Sequence, residues 1–314
     1  VSSYHYKMHS LKLYTDAMGA AVVVPDLTSF GLMINPELMT EQVADSATPK
    51  HVAMVARKLM SNLEGFSLKT ILDNLALTGL AINSATNPGA VAYLQKFDKN
   101  GFVASSNHRS FTFKKGVVVP KTISCQHRQD AKITFDIVPI FDGTNNAVVI
   151  DDSASMPSIS IAAARWTLGP IIIGNDVLTE YTSLEIDLGN TVESGSSESD
   201  IDETHIAVRT HEPKITITGI DPQWFSSSVV GLGGSVAAQA TDAIYLRKRA
   251  QDNVGFVSDV TEEHIKFTPN GLAAVNQAFR AQAQRIGETT LEIKLAIDGS
   301  GNPALAIDTT AALP

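Results

Sequence analysis

Short alternations of apolar and polar residues run along the chain, bounded by Gly, Pro, Asn and Asp. Runs rich in Val, Ile, Thr and Phe fall at 10–14, 20–24, 110–113, 117–124, 132–141 and 146–150, and comparable runs follow in the second half. Alternation of this length between turn residues predicts half-buried strands and a mainly β fold. Asp142-Gly143 and Asp298-Gly299 each stand between two such runs, a hairpin signal, and the strand before each is long, at 132–141 and 288–297. Helical spacing of Leu68, Ile71, Leu72 and Leu75 predicts one helix over 67–77. Asp221-Pro222, an N-cap residue followed by Pro at the first helical position, opens a second over 221–229. Residues 35–50 and 187–204 show neither period and predict long loops, the second of them acidic and rich in Ser and Gly.

The pattern is written twice. DGTNNAVVIDDSASMP at 142–157 returns as DGSGNPALAIDTTAALP at 298–314, and further matches follow in the same order. Ser10-Leu11-Lys12-Leu13 aligns with Ser158-Ile159-Ser160-Ile161, and Val22-Val23-Val24 with Ile171-Ile172-Ile173. His51 aligns with His205, Ala92-Tyr93-Leu94 with Ile244-Tyr245-Leu246, Phe113 with Phe267, and Ile133–Ile137 with Thr289–Ile293. Chance does not supply so many pairs in one order, so the chain reads as a tandem duplication. The units are 1–157, with an N-terminal arm at 1–9, and 158–314. Duplication also overrules propensity at 268–285, which looks helical. Its counterpart at 113–128 carries a β-branched run and Pro120, so 272–280 is predicted to be strand.

Composition adds limits. At 314 residues the chain has room for two domains, and 44% hydrophobic with 18% charged residues is ordinary for a globular protein. No apolar run approaches a bilayer span and the first residues lack a signal pattern, so the expectation is a cytosolic origin and no membrane partner. The net charge of −9 is uneven: residues 1–157 hold 14 Lys+Arg against 13 Asp+Glu, and residues 158–314 hold 10 against 20. An acidic half disfavours tight nucleic-acid binding, which rests on neutralising phosphates.

Candidate chemistry is sparse. Cys125 is the single cysteine, reads as a structural thiol, and excludes an internal disulfide. The eight histidines lack metal-ligand spacing, and His51 and His205 read as strand-edge positions. Asp142-x-Thr144-x-Asn146 and Asp298-x-Ser300-x-Asn302 resemble the start of a calcium loop but lack its sixth-position Gly and twelfth-position Glu. Gly231-Leu232-Gly233-Gly234-Ser235 lacks the Lys of a P-loop. Asp151 and Asp152 are adjacent on a strand and point to opposite faces. Arg247-Lys248-Arg249 lacks an aromatic platform and reads as a solvated face. The expectation is therefore no enzyme, no metal and no cofactor.

A duplicated β unit without catalytic chemistry points towards assembly, because fusing two copies halves the number of chains in a ring. The repeated Asp-Gly strand pairs, the helix near 67–77 with its partner at 221–229, and the long loops together resemble the tail tube proteins of long-tailed bacteriophages. The resemblance implies two tandem β-sandwiches with one flanking helix each, trimeric pseudo-hexameric rings that stack, DNA passing through without specific binding, other tail proteins at the tube ends, and a place in the virion. It also implies inter-ring contacts from the loops, with Asn35, Glu37, Glu41 and Asp45 in the first and Asp187, Glu193, Glu198, Asp200, Asp202 and Glu203 in the second. Glu288 and Glu292 are the candidates to face an acidic lumen. A tail hub with paired tube domains is the near alternative, and a β-sandwich hydrolase acting on carbohydrate the distant one.

Overall fold

Strands carry most of the chain. The computed structural model describes residues 5–14, 21–41, 48, 51–83, 89–98, 101–103, 107–159, 164–174, 176–196, 200–221, 224, 242–250, 255–270, 272–282, 285–297 and 301–314. The first half supplies β1 (His5–Tyr14), β2 (Ala21–Val24), β3 (Leu27–Glu41), β4 (His51–Gly65), α1 (Leu68–Asn74), β5 (Leu80–Asn83), β6 (Ala90–Asp98), β7 (Gly101–Phe102), β8 (His108–Phe113), β9 (Lys115–Gln126), β10 (Lys132–Pro139) and β11 (Val149–Ala154). The second supplies β12 (Trp166–Ile173), β13 (Asp176–Val177), β14 (Tyr181–Asp187), β15 (Asn190–Gly195), β16 (His205–His211), β17 (Lys214–Gly219), β18 (Ala243–Lys248), β19 (His264–Pro269), β20 (Leu272–Gln282), β21 (Arg285–Leu295) and β22 (Leu305–Ala311). Residues 272–280 are strand, as the duplication requires. The second candidate helix, 221–229, lies mostly outside the described residues, as does the glycine-rich stretch 231–235.

Strand pairing repeats with the sequence. One outer sheet runs β11-β8-β6-β1-β2, and the other runs β22-β19-β18-β12-β13 in the same order. A third, central sheet packs one face on both and runs β20-β21-β17-β14-β9-β10-β4-β3, one four-strand order written twice, with β5 pairing β9 beside this path. Even the irregularities recur. A bulge between Leu27 and Ser29 in the first half matches one between Tyr181 and Ser183 in the second. Two buried histidines recur as well: His108 Nδ1 accepts from the Lys96 amide at 3.1 Å, and His264 Nδ1 from the Lys248 amide at 3.0 Å.

The register corrects three sequence matches. Leu11 pairs with Ala92 and Ile171 with Ile244, so Ile171–Ile173 answer to Leu11–Leu13, not to Val22–Val24. Ser158–Ile161 therefore fall before Trp166, where the first described strand of the second unit starts. Ala92 pairs with Phe111 and Ile244 with Phe267, so Phe111, not Phe113, is the counterpart of Phe267. A shorter β12–β13 connection than β1–β2 accounts for the first two, and a longer β18–β19 connection than β6–β8 for the third, each changing the offset where no strong motif marks it.

The Asp-Gly turns also differ from expectation. The chain leaves β10 in the central sheet and enters β11 in an outer sheet, so Asp142-Gly143 is a crossover and not a hairpin. Asp142 Oδ1 accepts from the amides of Thr144 at 2.8 Å and Asn145 at 2.5 Å, and Gly143 takes the positive φ of 96° that this bend requires. The strands flanking Asp298-Gly299, β21 and β22, likewise belong to different sheets. A local turn signal fixes a bend but not the sheet that receives the next strand.

Core residues alternate as the period demands. Ile133, Phe135 and Ile137 on β10, and Leu291 and Ile293 on β21, are buried towards the outer sheets. α1 packs Leu68 and Ile71 inward, both fully buried. On its other side it meets the last strand of the second half, where Lys69 Nζ donates to Thr309 Oγ1 at 2.9 Å. No helix among the described residues is long and apolar enough to cross a membrane.

Candidate assembly interface

The two halves join edge to edge inside the central sheet. β14 of the second unit pairs antiparallel with β9 of the first, placing Leu184 opposite Cys125, Glu185 opposite Ser124 and Ile186 opposite Ile123. On the core side of this seam Ile123 and Ile186 are fully buried, and Leu184 and Cys125 are 2% exposed. Burial pushes the Cys125 thiol up to about 11, in keeping with a structural role. Ionic contacts tie the same junction: Arg249 to Asp130 at 2.6 Å and Arg165 to Asp26 at 3.1 Å.

The seam leaves two free ends. Among the described residues, β20 pairs only with β21, and β3 only with β4. β20 is the counterpart of β9, and β3 the counterpart of β14, as the shared order shows. Transferring the seam register sets Leu32 against Phe279 where Ile186 meets Ile123. Phe279 is 49% exposed, although its counterpart Ile123 has no exposure at all.

The second hairpin lies across the first unit. β15 and β16 pair with each other, and Val192, Ile206 and Val208 pack on Val117, Val119 and Val138 of β9 and β10. These valines are on the face of the central sheet that points away from the core. Its tip reaches the first hairpin, where Arg57 donates through Nε to Asp202 Oδ1 at 2.7 Å and through Nη2 to Oδ2 at 2.6 Å. Lys58 stands 3.8 Å from Glu203. Asp202 and Glu203 are thus committed within the chain.

The remaining candidates from the two predicted loops are dispersed. Where they are described, residues 35–41 and 190–195 are hairpin arms, β3 and β15, and not irregular loops; β3 is exposed on both faces here and so shows no period. Asn35, Glu37 and Glu41 are exposed along β3. Glu193 is exposed and paired with Arg209, Asp200 is exposed, and Asp187 Oδ1 accepts from the Gly189 amide at 2.9 Å. Asp45 and Glu198 lie outside the described residues.

Glu288 and Glu292 share the outward face of the central sheet, since Thr289, Leu291 and Ile293 between and beside them are buried. They do not stand alone there. Glu292 is 3.8 Å from Lys214, Glu288 is in register with Arg280, and on β10, in the first unit's part of the same face, Lys132 reaches Glu64 at 2.7 Å. The face is charged but internally balanced.

The other sequence candidates resolve into local contacts. Arg247, Lys248 and Arg249 bind Asp259, Glu263 and Asp130 respectively. Asp152 pairs with Arg109, whereas Asp151 accepts from the Ser153 amide and hydroxyl. Hydrogen bonds from Asn145 and Thr144 hold the Asp142 carboxyl below the usual range, overcoming an opposing effect of burial. Among the described residues no group of His, Cys, Asp and Glu is placed to hold a metal ion. Sequence reasoning missed His211, half-buried beneath the second hairpin, whose Nδ1 lies 2.8 Å from Asn190 Oδ1. No motif marks it, because its counterpart in the first half is Arg57.

Compared with protein-family models and with curated proteins, the sequence gives no match.

Proposed function

We propose that this chain is a structural protein that closes into a trimeric, pseudo-hexameric ring by sheet continuation, and that such rings stack as a phage tail tube. The single observation that carries this reading is the β14–β9 seam. It joins two copies of one unit head to tail, and leaves the same two edges at the ends of the central sheet without a partner strand among the described residues. A heterologous contact of this kind propagates until it closes, giving a ring, or fails to close, giving a filament. Two long edge strands in one sheet are otherwise an aggregation hazard, which pairing between chains removes.

The outer layer supports the same contact. α1 of the first unit rests on β22 of the second through Lys69, Asp73 and Thr309. The counterpart of β22 is β11, whose Ile150 is 55% exposed. A neighbouring chain would cover it.

In such a ring the part of the central sheet's outward face that the hairpins leave uncovered lines the channel. Its carboxylates sit beside Lys132, Lys214 and Arg280, so it offers DNA neither a continuous basic track to grip nor a strongly repulsive wall. Transit without specific binding follows. Negative-stain microscopy of the purified protein tests the reading. Hollow tubes of stacked rings are expected; isolated rings would favour a hub that caps a tube once, and persistent monomers at all concentrations would contradict ring formation.

A further inference from the structure

The two hairpins are copies, yet among the described residues only the second has a seat. Leu38 opposes Met54 and Glu41 opposes His51 in the first, as Val192 opposes Val208 and Gly195 opposes His205 in the second. A bulge falls at the same place in each, between Glu37 and Leu38 and between Thr191 and Val192. Leu38, Val52 and Met54 are therefore the counterparts of Val192, Ile206 and Val208. The second set packs on the valines of β9 and β10. The first set is 56%, 57% and 40% exposed.

We infer that the β3–β4 hairpin of one chain docks in trans on the β20–β21 face of its lateral neighbour, within the same ring, through Leu38, Val52 and Met54. The inference rests on the ring reading, and its occupant is a second copy of this chain. Continuity carries it. If β3 pairs with a neighbour's β20 as β14 pairs with β9, the hairpin that continues β3 reaches the face that β15–β16 reaches in cis. Such burial removes an exposed apolar cluster from water.

The two seats are not equal. At the register positions of Val117, Val119 and Val138 the second unit places Ala274, Asn276 and Lys294. Lys294 is exposed, and its stem covers less apolar surface than a buried valine. At this position the trans seat is the weaker one, as reversible assembly from separate chains needs. The backbone differs in the same sense. The second hairpin breaks at Gly189, with φ 58°, where a Cβ would meet the Glu212 carbonyl oxygen at 2.1 Å. β3 runs through the counterpart position, Asn35, without a break, so docking bends the first hairpin there.

The test compares ring formation by sedimentation velocity for the full chain and two variants. Leu38→Asp/Val52→Asp/Met54→Asp is expected to raise the concentration for half-assembly by roughly tenfold or more, since a tenfold change is a modest loss of apolar burial. Met39→Asp/Val55→Asp, on the opposite face of the same hairpin, is expected to leave ring formation unchanged. Rings from the triple variant at the wild-type concentration would overturn the inference while leaving the ring reading intact. Absence of rings from the wild type would overturn both. A second measurement does not depend on the triple variant folding: in assembled Met54→Cys/Asn276→Cys protein, a short bis-maleimide is expected to link chains. Assembled protein that gives no such link would also overturn the inference.

Discussion

Ile186 lies directly opposite Ile123 across the seam between the two halves, and neither side chain keeps any exposure to solvent. The contact has the character of a core and not of two domains resting on each other. Ile123→Ala or Ile186→Ala is expected to cost about 2–4 kcal/mol, the range for truncating a fully buried aliphatic side chain. Chemical denaturation checks this, and both halves are expected to unfold in one transition because they share a sheet. Two separated transitions, with only one moved by the substitution, would show that the seam does not couple them.

The Arg57–Asp202 pair fixes where the second hairpin ends. Its two parallel hydrogen bonds, with side chains 30% and 14% exposed, place it above an ordinary surface ion pair. A double-mutant cycle with Arg57→Ala and Asp202→Ala is expected to give a coupling of about 1–2 kcal/mol, reduced at high salt. A coupling near zero would mean that the valine contacts alone hold the hairpin down.

His211 makes the same hairpin sensitive to acid. Burial lowers its pKa from the ordinary 6.5, outweighing a hydrogen bond with the Leu188 backbone that acts the other way. The sign follows directly: between the folded-state value and 6.5 the unfolded chain binds more protons, so stability rises with pH there and is lost as pH falls below 6.5. Melting temperatures between pH 7.5 and pH 5.5 are expected to fall less for His211→Asn than for the wild type. An equal fall in both would assign the acid sensitivity elsewhere.

Much of the fold was legible because duplication let one copy correct the other. Propensity alone makes 272–280 a helix, and only Pro120 in the other copy shows that it is strand. The hairpins were not legible, because Leu38, Val52 and Met54 are apolar at positions that the isolated chain leaves exposed, which erases the period a half-buried strand shows. The Asp142-Gly143 crossover was misread for a different reason: the bend is encoded locally, whereas the choice of sheet depends on the pairing of β11 with β8, far along the chain. His108 and His264 do not align while Phe113 is set against Phe267, and only the pairing register reveals that they are counterparts making the same bond. The interface itself was hidden because nothing local distinguishes Phe279 from Ile123. Their difference lies in which neighbour the chain provides.

Pairing of β20 with β3 of another chain is tested most directly by disulfide trapping at Leu32 and Phe279. Opposed residues in an antiparallel pair bring Cα atoms to about 4.5–5.5 Å, within the range a disulfide spans. The native Cys125 does not interfere, being buried with its thiol pushed up to about 11. Oxidised Leu32→Cys/Phe279→Cys protein is expected to give covalent dimers and then closed trimers on a non-reducing gel, with neither single variant giving a ladder beyond the dimer. A double variant that remains monomeric at concentrations where the protein is assembled would contradict ring closure through these two edges.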